Sequence, residues 1–408
     1  MSKMFDLANS MKIQINEEKK LSLILFYQTE RFRELMEEVF RFEGVTAPVV
    51  FKYSDEAIRD NAQEFTDHII MIELNESDNI TQDIEQISHQ LPNSASVIVI
   101  GSENSISTIR DLRAMGYYYL FWPITKLELI DFIRGVNDNL TRNNTLSKSR
   151  QAKKIIVLGS KGGVGTSMLT AELSKELSEK RNSSCIVIDH NFSGGNLDIM
   201  LGVKQFTRKK LPQGMLIANL DAQYAMGMTT KVNEMLSFLS IESDNLSVEE
   251  LKEYIHVLST QLATETNFII EDLSGSASEK IGFLTKEQDI DVVVLVIDQT
   301  VSSLREASRV LSVVKEKKLE MRFIIVVNNT KPEKYSTVDL KDIKKHIDRS
   351  VDVICPFEPK IGSALLHGES IHSKNMLISQ SFNDVTALLL GETVKKPSLL
   401  KRLTQRMK

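Results

Sequence analysis

The stretch of sequence that decides the fold reads Gly159-Ser160-Lys161-Gly162-Gly163-Val164-Gly165-Thr166-Ser167. It follows an apolar run at 155–158, which predicts a buried strand, and it precedes leucines at four-residue spacing, which predict a helix. Glycines between a strand and a helix let successive backbone N–H groups face a phosphate, and the helix N-terminus adds its dipole. The sequence therefore predicts a phosphate-binding loop.

This loop departs from the usual pattern at one position. Such loops end in Gly-Lys-Ser/Thr, and here Thr166 stands where the lysine is expected. Ser167 keeps the hydroxyl that ligates magnesium, and a different lysine, Lys161, precedes the glycines. The backbone donors from Gly162 to Ser167 remain, whereas the charge that stabilises phosphoryl transfer is missing. We expect binding to survive better than catalysis; the alternative is a degenerate loop that binds nothing.

Two acidic residues follow apolar runs that read as strands. Asp189 directly follows the run at 185–188. Asp272 follows the run at 268–270 after one intervening residue, Glu271. A carboxylate at a strand end beside a phosphate-binding loop holds magnesium, directly or through water. We predict Ser167 and Asp272 as the metal-binding residues, with Asp189 nearby. The alternative for both acids is a helix cap or a strand-end turn.

Composition limits the class of protein. The chain has 408 residues, 42% of them apolar and 26% charged, which is typical of two or three globular domains. The net charge of −5 argues against a surface built mainly for nucleic acid, so no nucleic-acid partner is expected. Cys185 and Cys355 are expected to be reduced packing residues. No apolar run spans a bilayer and no signal peptide is recognisable, so we expect a cytoplasmic protein.

Alternating apolar runs and amphipathic stretches predict an α/β protein with two domains and mostly parallel sheets. We expect a lead at 1–20, a flavodoxin-like domain at 21–140, a linker at 141–152, a nucleotide-binding domain at 153–390 and a tail at 391–408. The first domain's predicted strands are 21–27, 49–51, 68–74, 97–100 and 118–121. The second domain's predicted strands are 154–158, 185–189, 268–272, 292–297, 323–328 and 350–354. Residues 203–265 read as an insertion without a clear place.

The first domain resembles a response-regulator receiver domain. The strand at 69–74, the strand end at 100–102 and the Met-Gly-Tyr-Tyr-Tyr-Leu-Phe-Trp-Pro-Ile run at 115–124 carry the resemblance. The family's phosphoacceptor aligns with Glu73, its acidic pair with Tyr27 and Gln28, and its lysine before proline with Trp122. We therefore expect a pseudo-receiver used for contacts. Glu73 is either a fixed negative charge or simply a polar strand end.

The second domain resembles the ParA/MinD group of P-loop ATPases. Lys161 at the loop start, the Asp-His-Asn run at 189–191 and the Asn-Leu-Asp run at 196–198 carry this resemblance. It implies ATP and Mg²⁺ as ligands, and a face-to-face homodimer in which Lys161 reaches the partner's nucleotide. Asn191 stands where the family has the acid that positions water. Asn328 and Pro356 inherit the role of bordering the adenine.

The order of the two domains resembles the TadZ/CpaE family of tight-adherence (Flp) pilus systems. Pro-Phe-Glu-Pro at 356–359 and Leu-Leu-His-Gly-Glu-Ser-Ile at 365–371 add to the resemblance. It implies an assembly or localisation factor at a cell pole, acting with the pilus secretion ATPase or other pilus components. The alternatives are an active ATPase that positions cargo, a response regulator, and a regulator of flagella or division.

The C-terminal tail is basic and carries Leu399, Leu400, Leu403 and Met407 at helical spacing. A short basic amphipathic helix lies on anionic membranes. A solvated tail or a helix that docks on a partner explains the same pattern.

Overall fold

The computed structural model of the chain describes residues 23–43, 46–66, 68–142, 150–192, 194–211, 217, 220–274, 277–287, 289–366, 371 and 376–394. The predicted lead at 1–20 and the apolar residues of the predicted tail helix lie outside this set. The chain divides into two compact units: residues 1–83 with 95–148, and residues 84–94 with 149–408.

The first unit alternates strands and helices. Its strands are β1 Leu23–Tyr27, β2 Val49–Lys52, β3 Ile69–Glu73, β4 Ser96–Gly101 and β5 Tyr118–Phe121. The helices of this part of the chain are α1 Glu30–Glu43, α2 Asp55–Asn61, α3 Ile80–Ile87, α4 Ile106–Ala114 and α5 Lys126–Arg142. All five predicted strands are present.

The strands of the first unit form one parallel sheet in the order β2-β1-β3-β4-β5. This is the strand order of flavodoxin-like doubly wound sheets. Helix α1 covers the sheet because its apolar residues recur every three or four positions. Phe32, Met36, Val39 and Phe40 are all buried along that face. The topology places the ends of β1 and β3 side by side.

Ten strands lie in the described residues of the second unit. They are β6 Lys153–Gly159, β7 Cys185–Asp189, β8 Lys209–Lys210, β9 Thr230–Lys231, β10 Leu236–Leu239, β11 Ile241–Glu242, β12 Phe268–Leu273, β13 Val292–Ile297, β14 Arg322–Asn328 and β15 Val353–Cys355. Its helices are α6 Thr166–Lys175, α7 Leu197–Leu201, α8 Ala222–Gly227, α9 Val248–Leu262, α10 Ala277–Lys286, α11 Val301–Glu316, α12 Leu340–Ile347, α13 Ile361–Leu366 and α14 Ser379–Leu389.

Eight of these strands form one sheet in the order β15-β14-β13-β6-β12-β7-β10-β9, parallel except for the β10–β9 pair. Both faces are covered, which explains why the strands are apolar without alternation. Ile155 and Val157 pack with α6 and α14, whereas Ile156 and Leu158 pack with α11 and α12. The central strand β6 is therefore rigidly held below the loop that follows it.

Residues 203–265, which the sequence left without a clear place, contribute a strand to the main sheet. Within this segment β10 pairs in parallel with β7 and extends the main sheet. Its apolar stretch is short and interrupted by Ser237, so its pattern alone does not distinguish strand from helix. Helix α9 of the same segment packs Leu251, Ile255 and Leu258 into the core.

The last predicted strand of the sheet differs most in where it begins. The run at 350–354 was expected as a strand, but β15 covers Val353–Cys355. The side chain of Asp352 explains the difference, because its Oδ2 accepts the Ile325 N–H at 2.8 Å in place of a ladder carbonyl. The strand pairing therefore starts three residues later than predicted, at the Val326–Val353 pair.

Both cysteines are free and buried, as predicted. Burial raises the pKa of the Cys355 thiol to about 12, so this thiol stays protonated at neutral pH. Among the helices that the structure describes, none is long and apolar enough to cross a bilayer.

Candidate functional site

The predicted site residues gather at the carboxyl edge of the eight-stranded sheet. Asp272 of β12 is the register partner of Asp189 in β7 and of Val157 in β6. The loop at 160–165 leaves β6 at the same edge, where parallel strands place their ligand-binding groups. The structure therefore brings the altered loop and both predicted acids together.

The loop has the backbone shape that phosphate binding requires. Gly163 and Gly165 have φ angles of +80° and +90°, a region that favours glycine. Helix α6 begins at once, and its Leu169 N–H donates to the Gly165 carbonyl at 3.0 Å. The N–H groups of the first helical turn have no acceptor within their own helix, so they can donate to an anion.

Asn328 fixes this loop from the neighbouring part of the sheet. Its Nδ2 donates to the buried Val164 carbonyl at 2.8 Å. A Cβ on Gly165 would lie 2.4 Å from the same nitrogen, so only glycine fits there. Pro356 directly follows β15 at the same sheet edge. The observed contact of Asn328 is with the loop; a role of Asn328 and Pro356 beside adenine stays a prediction.

Lys161 is held within its own chain. Its Nζ lies 2.9 Å from Oδ2 of Asp298, which follows β13 and is almost fully buried. The other oxygen of Asp298 accepts the Thr300 hydroxyl at 2.6 Å. Sequence reasoning missed Asp298, although its place directly after an apolar strand was a usable signal. Lys161 would have to leave this carboxylate to reach another molecule.

Asp272 is the strongest indication of a cation site. It is 0% exposed, and neither carboxylate oxygen accepts a hydrogen bond from the described residues. Burial raises the pKa of Asp272 to about 7; the Ser167 hydroxyl opposes this rise and the charge of Asp189 adds to it. A buried carboxylate without partners is costly unless a cation neutralises it. Mg²⁺ is coordinated by one or two carboxylates together with phosphate oxygens, so this residue set fits it.

The residue beside Asp272 shows the contrast. Glu271 is 1% exposed, but its carboxylate lies 2.7 Å from His190 Nε2 and accepts the Ser259 hydroxyl at 2.9 Å. Burial alone would raise the pKa of Glu271, and the hydrogen bond and charge of His190 together with Lys154 reverse that and lower it. Glu271 is thus a satisfied structural anion. The adjacent Asp272 is the carboxylate left for a ligand.

Asn191 belongs to a compact turn after β7. The Asn191 N–H donates to Asp189 Oδ1 at 2.9 Å, and Asn191 Oδ1 accepts the Gly194 N–H at 3.2 Å. The guanidinium of Arg208 donates to the Asn191 carbonyl at 2.9 Å and also to that of Phe192. Burial raises the pKa of Asp189, and the charge of Arg208 opposes this rise. Arg208, from the basic run at 207–210, therefore braces the turn that carries Asn191.

In the first unit, Glu73 is a structural acceptor at the end of β3. It is 0% exposed, and Oε2 accepts the N–H groups of Gln28 and Thr29 at 2.8 and 2.9 Å. Oε1 accepts the Thr29 hydroxyl at 2.5 Å and the Asn75 amide at 2.7 Å. Trp122 packs edge-on against Phe32. Glu73 therefore ties the end of β3 to the start of α1, rather than presenting its charge at the surface.

The chain is similar to curated proteins and to solved structures. No protein-family model matches the chain. The chain is 25% identical over 251 residues to the septum site-determining protein MinD of Helicobacter pylori, covering 59% of this chain and 91% of that protein. Two solved structures are also similar. One is the MinC:MinD cell division protein complex of Aquifex aeolicus, with a TM-score of 0.49, 23% identity, and coverage of 60% of this chain and 99% of that chain. The other is MinD with Mg-ADP from Pyrococcus horikoshii, with a TM-score of 0.46, 19% identity, and coverage of 58% and 96%.

Proposed function

We propose that this chain, whose second unit is a MinD/ParA-type P-loop ATPase domain, binds Mg-ATP and hydrolyses it very slowly. The observation that carries the proposal is the selective alteration of the site. The glycine backbone, Ser167 and the buried Asp272, whose oxygens accept no hydrogen bond from the described residues, are kept, whereas Thr166 and Asn191 replace a lysine and an acid. Phosphate binding depends mainly on the groups that are kept, and phosphoryl transfer depends on those that are lost.

Bound ATP would serve to hold two copies of the chain together. Lys161 is the residue on which this step depends, because it lies at the start of the loop with its side chain 29% exposed. The Asp298 carboxylate holds that ammonium in the single chain. Binding a second copy would exchange this ion pair for one with the phosphates of the partner's nucleotide, which carry more negative charge than one carboxylate.

We expect Lys161→Ala to lose the ATP-dependent dimer while still binding ATP. Light scattering on the full chain with Mg-ATP and without nucleotide measures the change in mass. Asp298→Asn releases Lys161 from its ion pair, so this variant should dimerise at least as readily as the wild type. Lys315→Ala changes an exposed lysine in the last turn of α11 and is the matched control. A Lys161→Ala chain that dimerises like the wild type would contradict this role.

The dimer would act as a localisation factor for a tight-adherence (Flp) pilus secretion machine, of the TadZ/CpaE kind. The support is the order of the domains, with a receiver-like unit whose phosphoacceptor position holds the fully engaged Glu73, followed by the altered ATPase domain. Both units keep their fold but lack groups that the related domains use for phosphoryl transfer. This combination suits a protein that binds partners rather than one that catalyses a reaction. The pilus secretion ATPase or another pilus component is the expected partner, at the cell pole.

Localisation in cells tests the pilus role. A tagged chain is expected to form one polar focus even when the genes for the other pilus components are deleted, because a localisation factor arrives before its cargo. Diffuse fluorescence in that strain, with a focus only when the other components are present, would show that the chain depends on those components for its localisation. This result would contradict the proposal.

A second candidate function is an active ParA/MinD-type ATPase that moves or positions cargo, or regulates flagella or division. The sequence similarity to MinD favours it as much as it favours the slow enzyme. Asp189, Asp272 and Lys161 are also all in place for it. Sustained ATP turnover at the rates usual for this group of ATPases would decide for this alternative.

A further inference from the structure

Lys280 is a buried lysine at the base of the altered loop. It lies in α10 and is 2% exposed, among the largest fully buried side chains of the described chain. Taking an ammonium group out of water costs several kcal/mol, so the surrounding groups have to compensate its charge. Nothing in the sequence motif points to Lys280, because it lies more than a hundred positions after the loop.

The ammonium group of Lys280 contacts the loop directly. Its Nζ donates to the Gly159 carbonyl at 2.7 Å, where β6 ends and the loop begins. A Cβ on this same Gly159 would lie only 2.1 Å from the Oγ1 of Thr166. Lys280 and Thr166 therefore meet the same residue from different elements. Thr166 is the position where the usual loop carries its lysine.

The residues around this contact belong to the predicted site. Gly159 ends β6, and Val157 of the same strand is the register partner of Asp272. Thr166 begins the helix that carries Ser167. Lys280 therefore contacts the strand end from which the loop leads to the predicted metal-binding residues.

We propose that the ammonium group of Lys280 serves this loop as the phosphate-binding cation that Thr166 no longer supplies. The ligand class is the β- and γ-phosphates of a nucleoside triphosphate, so the inference rests on the proposed ATP binding. An ammonium group acts on phosphate as a point charge with three donors, and its use does not depend on which element delivers it. A cation held at the base of the loop stabilises the bound phosphates. It does not move with the phosphoryl group, so it does not stabilise the charge that develops during phosphoryl transfer.

Lys280→Met tests this role, because methionine keeps the length and apolar stem of lysine and removes its charge. The affinity of the full chain for ATP and AMP is measured by equilibrium binding, once with Mg²⁺ and once with EDTA. We expect ATP affinity to fall by about tenfold to a hundredfold, with AMP affinity changed by less than about threefold. Lys286→Met, on an exposed lysine of the same helix, should bind both nucleotides like the wild type.

Thr166→Lys supplies the second arm. In the Lys280→Met variant, Thr166→Lys should raise the ATP affinity at least about tenfold. In the wild type, the same substitution should raise the ATP affinity by less than about threefold. If Lys280→Met does not fold, Lys280→Arg takes its place and should keep ATP affinity within about threefold. A cation that only neutralises Asp272 for metal binding would affect ATP affinity with Mg²⁺ and not with EDTA.

The outcomes separate this inference from the proposed function. Wild-type ATP affinity in Lys280→Met, or a loss seen only with Mg²⁺, or no rescue by Thr166→Lys, would overturn the role of Lys280 alone. A wild-type chain that binds no ATP would overturn the proposed function and this inference together.

Discussion

Asp272→Asn is expected to raise the melting temperature of the nucleotide-free chain and to abolish its stabilisation by Mg-ATP. The folded protein holds the pKa of Asp272 at about 7, against a usual value of 3.8. Folding therefore disfavours the ionised carboxylate. Above pH 7 the ionised carboxylate lowers the free energy of unfolding by up to about 4 kcal/mol, because each unit of pKa corresponds to about 1.36 kcal/mol. Asparagine removes the charge and with it this cost.

The pH dependence follows from the same shift. Between the unfolded and folded pKa values the folded chain binds a proton that the unfolded chain has released, so this residue lowers stability as pH rises from about 4 to about 7. Mg²⁺ needs the ionised form, so its affinity should be about tenfold lower at pH 6 than at pH 8. In Asp272→Asn both trends should disappear.

Calorimetry with and without Mg-ATP at pH 6 and pH 8 checks these results. A saturating ligand at a hundred times its Kd stabilises the wild type by about 2.7 kcal/mol, which sets the size of the shift to look for. Asp289→Asn changes an exposed acid and should behave like the wild type. A less stable Asp272→Asn chain, or one that Mg-ATP still stabilises, would contradict the assignment of this carboxylate to the metal.

Glu73→Ala is expected to destabilise the first unit by roughly 3 kcal/mol or more. The change leaves the backbone N–H groups of Gln28 and Thr29 and the Thr29 hydroxyl without their acceptor. Each buried donor that loses its partner costs about 1–3 kcal/mol. Glu73→Gln keeps one acceptor oxygen for the two N–H groups, so its effect should be smaller.

The chain itself provides the probe for this measurement. Trp122 is its single tryptophan and packs edge-on against Phe32 of α1 at a ring distance of 5.3 Å. Tryptophan fluorescence of the full chain in increasing urea therefore follows the first unit. Glu76→Ala removes an exposed carboxylate three residues later and is the control. If Glu73→Ala unfolds at the urea concentration of the wild type, Glu73 is not the structural tie described here.

The sequence predicted the sheet strands best where they are apolar and covered on both faces. The runs at β6, β7 and β13 are uninterrupted, and their strands lie where expected. The prediction failed at β10, where Ser237 interrupts a short run, and at β15, where the side chain of Asp352 replaces a ladder acceptor. Both failures depend on tertiary hydrogen bonds that a local pattern does not contain.

The sequence predicted the loop and the strand-end acids of the candidate site, because glycine spacing and position at a strand end are local signals. The residues that were missed reach the site from elsewhere. Asp298 holds Lys161, Arg208 braces the turn after β7, and Lys280 meets Gly159 from α10. Each is far from its partner along the chain, so only the fold brings the pairs together. The fully engaged Glu73 was missed for the same reason.

The central claim is that the altered loop still binds ATP and has lost most of its catalysis. The most direct test measures Mg-ATP binding and single-turnover hydrolysis in the same preparation, for the wild type and for the Thr166→Lys, Asn191→Asp double variant. We expect both chains to bind Mg-ATP saturably, and the double variant to hydrolyse it at least about a hundredfold faster, the usual cost of losing one such stabilising group. A wild type that hydrolyses ATP as fast as the double variant, or that binds none, would contradict the account.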